Sequence, residues 1–227
     1  MLPPGGAEID LAVMFVGICG STALGKQMGP REFAGLLDRF ATDKRFVGLR
    51  MRQRPGGENF FTDAVWRDLQ LLADKGLTLD VLMSDFDLAD IDQIAGRVPN
   101  LKILINHLTG LTITGEPADA EWTAAVKQAA SHSNVYCKAS GIFQRSGQSP
   151  APKDLSYYEP IFKVVYDAFG EDRIIYGSNW PVTDRGGEYE EQFNVINEFF
   201  QPMGRTVLEK LYWKNASLFY GVKLGKD

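Results

Sequence analysis

The segment TLDVLMSDFDLADIDQIAGRVPNLKILINHL, residues 78–108, reads as strand, helix, strand. A strand spans 78–84, a helix 87–97 and a second strand 101–108; two strands joined this way lie parallel, with a right-handed crossover. The alternation continues in both directions. Upstream, the apolar run LAVMFVGIC at 11–19 suits a strand buried on both faces, and FVGLRM at 46–51 suits another. Between them Phe33, Leu36, Leu37 and Phe40 recur at helical spacing over 31–42, and Val65, Leu69 and Leu72 do so over 63–75, with Gly76 at the end. Downstream come a helix at 118–131, a strand at 134–140, a Gly/Ser/Pro-rich loop at 141–153, a helix at 157–169, a strand at 173–178, and helices near 188–200 and 205–214.

Strand starts at 11, 46, 78, 101, 134 and 173 are spaced as βα units. No Pro/Gly linker divides them, so residues 1–227 are expected to form a single α/β domain. About six units fit either an open doubly wound sheet or an incomplete (β/α)8 TIM-type barrel. The open sheet predicts a glycine-rich phosphate loop after an early strand. Gly17, Gly20 and Gly25 are the nearest match, and they fit neither G-x-G-x-x-G nor the P-loop pattern.

Composition narrows the function. The 227 residues carry 24 Lys+Arg against 29 Asp+Glu, a net charge of −5, with 44% hydrophobic and 23% charged residues. These are globular values, and an acidic chain lacks the basic patches that hold nucleic acid. Two cysteines, Cys19 and Cys137, make no disulfide framework and read as buried thiols. Residues 1–10 lack the Lys or Arg of a signal peptide, and no run reaches the ~20 apolar residues of a membrane helix. A cytoplasmic protein is expected, with no nucleic-acid or membrane partner.

Ligands of parallel α/β folds meet the carboxyl ends of strands. Strand alternation puts Gly48, Arg50 and Arg52 on one side, where two guanidiniums would bind a carboxylate or phosphate; solvated loop cations are the alternative. Ile103, Ile105 and His107 share a parity that ends in an imidazole, able to bind a metal or polarise a carbonyl, or simply satisfied in the core. Tyr136, Lys138 and Ser140 share one face, and an ammonium there needs an anionic partner, with Asp80 or Asp85 as candidates, or access to water. The last strand ends in Asn179, followed by Trp180.

Four of these strand ends carry a resemblance. FVGLR at 46–50, NHLTG at 106–110, VYCKASG at 135–141 and DRIIYGSNWPV at 172–182 resemble, in order, motifs of the amidohydrolase-related family, in its fuconolactonase and pyrone-dicarboxylate lactonase branch. The resemblance spans roughly 11–222. It implies a (β/α)8 barrel that hydrolyses a lactone or similar cyclic ester. Activated water would attack the carbonyl, a carboxylate on the last strand would take its proton, and a metal or His and Arg donors would stabilise the oxyanion. Carried over to this chain, His107 and Asn179 take the catalytic positions. Arg50, Arg52, Lys138, Ser140 and Trp180 line a site for an anionic or lactone small molecule.

Two departures follow. The family opens with a His-x-His pair on its first strand, whereas the histidines here are His107 and His132, the latter expected to be solvent-exposed. The run at 11–19 aligns with the family's third strand, so two βα units precede it in relatives, and the unpaired edge predicts a homo-oligomer. Where relatives have Asp, this chain has Asn179. No metal or other cofactor is therefore expected, although relatives use zinc or another divalent ion. A non-catalytic barrel that binds carboxylates, or a related non-oxidative decarboxylase, are the alternatives.

Overall fold

The computed structural model describes residues 30–52, 54 and 57–222. The expected strand at 11–19, Cys19 and the Gly17–Gly25 loop lie outside the described residues. The described elements alternate in order: α1 (Pro30–Phe40), β1 (Gly48–Met51), α2 (Asp63–Asp74), β2 (Thr78–Val81), α3 (Leu88–Arg97), β3 (Ile103–Ile105), α4 (Ala120–Ala130), β4 (Val135–Ser140), α5 (Leu155–Phe169), β5 (Ile174–Gly177), α6 (Tyr189–Phe200) and α7 (Arg205–Glu209). A π-helical turn, Lys210–Lys214, then leads into α8 (Asn215–Tyr220). The 141–153 loop contains a one-turn helix, Ile142–Arg145.

Local chemistry sets the helix starts. Thr62 caps α2 by accepting from the Val65 N–H, and Asp87 and Asp90 form a reciprocal capping box on α3. Asp119 caps α4 by accepting from the backbone of Glu121 and Trp122.

The five strands pair in parallel in the order β1-β2-β3-β4-β5. A doubly wound sheet reverses direction at a switch point; this sheet adds each strand on the same side, which is the winding of a barrel. The fold is accordingly α/β of the (β/α)8 type. No described helix is long and apolar enough to cross a membrane.

Strand parity divides the core in two. Leu79, Val81, Ile103, Ile105, Val135, Cys137, Ala139 and Ile174 face the helices in one large cluster. The opposite parity, Leu104, Tyr136 and Ile175, forms a separate cluster closed by Phe219 of α8. The inner face is thus sealed in part by the C-terminal helix, while Asp80, Lys138 and Ser140 remain as buried polar residues on that same face.

Candidate active site

Beyond Ile105 the apolar strand ends and the chain turns left-handed: His107, Leu108 and Thr109 have φ of 56, 49 and 65°, and Gly110 follows at 77°. For residues with a Cβ such backbone costs about 1–2 kcal/mol each. The turn brings the half-buried imidazole back across the sheet, where His107 Nδ1 lies 2.8 Å from Ser140 Oγ at the end of β4. Ser140 is fully buried, and among the described residues its hydroxyl has no other partner. The direction of this bond follows the tautomer: a buried O–H is satisfied when the hydroxyl donates to Nδ1, the arrangement in which the ring carries its proton on Nε2. Burial first, then the positive charges of Lys138, Arg145 and Arg50, pushes His107 down to about 3. The imidazole is therefore neutral near pH 7 and presents an N–H donor.

Asn179, two residues past β5, is also left-handed, with φ 54°. Its Nδ2 donates to Gln144 Oε1 at 3.3 Å, which leaves Oδ1 as the acceptor it can offer. Gly141 separates the two groups: a Cβ at this position would lie 3.0 Å from His107 Nδ1 and 3.3 Å from Asn179 Nδ2. His107 and Asn179 thus share one end of the sheet, as their strand positions predicted.

Below them lies an ion pair. Lys138 Nζ donates to Asp80 Oδ2 at 3.1 Å, Tyr220 Oη donates to Asp80 Oδ1 at 3.0 Å, and Asn106 Nδ2 lies 3.5 Å from Oδ2. Of the two acidic candidates it is Asp80 that pairs with Lys138. Burial pushes the lysine below its ordinary range while Asp80 opposes the shift. Gly177 makes room: a Cβ there would sit 3.2 Å from Lys138 Cδ. Arg50 is exposed on β1, in register with Asp80, and its charge acts on His107, Lys138 and Tyr220.

Two expected binders stand farther out. Arg52 is exposed just past β1, and nothing among the described residues links it to His107. Trp180 is exposed beside Tyr189, with ring centroids 6.1 Å apart. His132 is not the solvent-exposed residue that its helix-end position suggested. It is half-buried and lies 2.7 Å from Asp92 Oδ1, a carboxylate displayed by the neighbouring α3.

Sequence reasoning missed Arg145, Gln144 and Tyr220. The first two sit in a stretch read as a loop, with no periodicity to orient them. Tyr220 carries no signal at all, since its partner lies 140 residues away.

A metal fits this donor set poorly. Among the described residues no group of three or more His, Cys, Asp or Glu side chains could hold an ion. The imidazole has a neutral amide nearby, and the charges of three cations bear on it.

Residues 15–222 match the family described as Amidohydrolase. The L-fucono-1,5-lactonase of Burkholderia ambifaria is 33% identical over 202 residues, covering 85% of this chain and 66% of that protein. The L-rhamnono-gamma-lactonase of Scheffersomyces stipitis is 34% identical over 146 residues, 57% of this chain and 44% of that one. The chain thus spans just under two thirds of the length of the first relative. An amidohydrolase from Burkholderia multivorans superposes with a TM-score of 0.76 in a crystal form with bound HEPES, at 20% identity over 86% of this chain and 72% of its own. In a form with bound zinc the TM-score is 0.72, at 21% identity over 83% and 69%.

Proposed function

This chain belongs to the amidohydrolase family, and we propose that it opens a small lactone or cyclic ester by attack of water on the ring carbonyl. The observation that carries this reading is the placement of the His107 imidazole, hydrogen-bonded through Nδ1 to Ser140 beside Asn179, where burial and the charges of Lys138, Arg145 and Arg50 favour its neutral form. A neutral imidazole with its proton on the far nitrogen is a hydrogen-bond donor for a carbonyl oxygen as charge develops on it. The surrounding cations favour that oxyanion and the carboxylate product. The names of the relatives support aldonic lactones as the substrate class.

Asn179 Oδ1 orients the attacking water by accepting its hydrogen bond, but an amide cannot take the proton. As the water's C–O bond forms and the ring C–O bond breaks, one water proton passes through solvent to the leaving ring oxygen, and the new carboxylic acid releases the other. A slow hydrolase is the expectation.

The test is proton release from a panel of aldonic 1,4- and 1,5-lactones, comparing the protein with His107→Asn. Turnover well above the variant supports the reading; equal rates on every lactone overturn it. The neutral amide at Asn179 favours a second reading, a barrel that binds carboxylates without turnover. Calorimetric binding of the ring-opened acids, with no hydrolysis of any lactone, would select it.

A further inference from the structure

His107 owes its place to a turn that its own residues disfavour. His107, Leu108 and Thr109 are left-handed in succession, a conformation that side chains bearing a Cβ rarely adopt, so surrounding structure must impose it. Gly110 follows in the same region, where a Cβ would meet the Met83 Cβ at 2.8 Å. The ties come from two other elements. Arg145, at the end of the one-turn helix after β4, donates Nη1 to the Gly110 carbonyl at 2.9 Å, and its own carbonyl accepts the Ile113 N–H at 2.7 Å. Trp122 on α4 donates Nε1–H to Thr109 Oγ1 at 3.0 Å. Leu108 and Thr109 are buried between these anchors, and neither anchor hydrogen-bonds the imidazole.

We propose that Arg145 and Trp122 are positioning residues that clamp the left-handed turn His107–Gly110 through its third and fourth residues and so hold the His107 ring in register with Ser140 and Asn179. Arg145 grips the last carbonyl of the turn and Trp122 the side chain of its third residue. Together they stop the turn from relaxing to ordinary backbone, which would swing the imidazole away from Ser140. The kinetic part of this inference rests on the proposed role of His107 as the carbonyl donor; the structural part does not.

The test uses histidine labelled with 15N. The chain has two histidines, so His132→Gln assigns the spectrum directly. In the unsubstituted protein His107 is expected to show a protonated Nε2 and a bare Nδ1. Trp122→Phe, which leaves the local charge unchanged, and Arg145→Met should each turn this into an averaged two-tautomer pattern, and Arg145→Lys should restore it in part. On a hydrolysed lactone, the same two variants should lower kcat about tenfold to a hundredfold with KM little changed, as expected for a displaced reacting group, and Arg145→Lys should recover part of the loss. Unaltered His107 signals in both Trp122→Phe and Arg145→Met overturn the clamp, whatever the activity. Altered signals in a protein that hydrolyses no lactone uphold the clamp and overturn the proposed function instead.

Discussion

Gly141 joins β4 to the one-turn helix with φ of 64°, and replacing it with alanine perturbs the site through two separable causes. The backbone cause is the left-handed conformation itself, about 1–2 kcal/mol for a residue with a Cβ. The contact cause is the new methyl group, 3.0 Å from His107 Nδ1, 3.2 Å from its Cγ and 3.3 Å from Asn179 Nδ2. The imidazole must retreat by a few tenths of an ångström, which loosens its hydrogen bond with Ser140, a bond of about 0.5–1.5 kcal/mol net. Together the two causes come to roughly 2–3 kcal/mol, and at ~2–4 °C per kcal/mol for a chain of this length the melting temperature should fall by about 4–12 °C. Gly76→Ala is the control: its φ is 68°, and a Cβ there meets nothing within 4 Å, so only the backbone cause remains. Denaturant and thermal unfolding of both variants, with lactone turnover, separate the causes. Gly76→Ala should lose about 1–2 kcal/mol with turnover unchanged, whereas Gly141→Ala should lose more and slow at least tenfold. Equal stability losses with unchanged turnover in both would refute the placement of His107 and Asn179 against Gly141.

Asn179→Asp should raise lactone hydrolysis by tenfold or more, since a carboxylate restores the proton acceptor that general-base catalysis needs; a rate unchanged at every pH counts against water attack at this position. His107 titrates at about 3 in the folded chain against an ordinary 6.5, so the unfolded chain binds a proton that the folded chain refuses. Its contribution to stability is complete above pH 6.5 and is lost as pH falls toward 3, at about 1.4 kcal/mol per pH unit. Urea midpoints at pH 7, 5.5 and 4 should therefore fall more steeply for the unsubstituted protein than for His107→Gln, and parallel profiles would contradict the buried neutral imidazole. Asp80→Asn should cost about 3–5 kcal/mol by taking the carboxylate from a buried lysine, and Tyr220→Phe about 1 kcal/mol; unfolding that ranks them the other way refutes the network. Elemental analysis should find substoichiometric zinc in the purified protein, with chelators leaving any lactone turnover unchanged. One tightly bound equivalent, lost together with activity, would overturn the metal-free reading.

The alternation of strands and helices was legible in the chain because burial on a sheet or helix is periodic and local. Each described strand falls inside its expected span, and the parity that groups Tyr136, Lys138 and Ser140 on one face follows from the two-residue repeat of a strand. The resemblance in four strand ends pointed to the same sheet end. What the sequence left open was partnership. Ser140 reaches His107 across 33 residues, Arg145 reaches the Gly110 carbonyl across 35, and Tyr220 reaches Asp80 across 140. Asp80 and Asp85 looked alike as partners for Lys138, and only the sheet register, which carries β2 and β4 past each other on either side of β3, chose Asp80. The left-handed turn at His107 carries no local signature either, since three of its four residues disfavour that backbone. Periodicity records which way a side chain faces, but strand register and the packing of distant helices decide what it meets there, and the tautomer of His107 depends on that meeting.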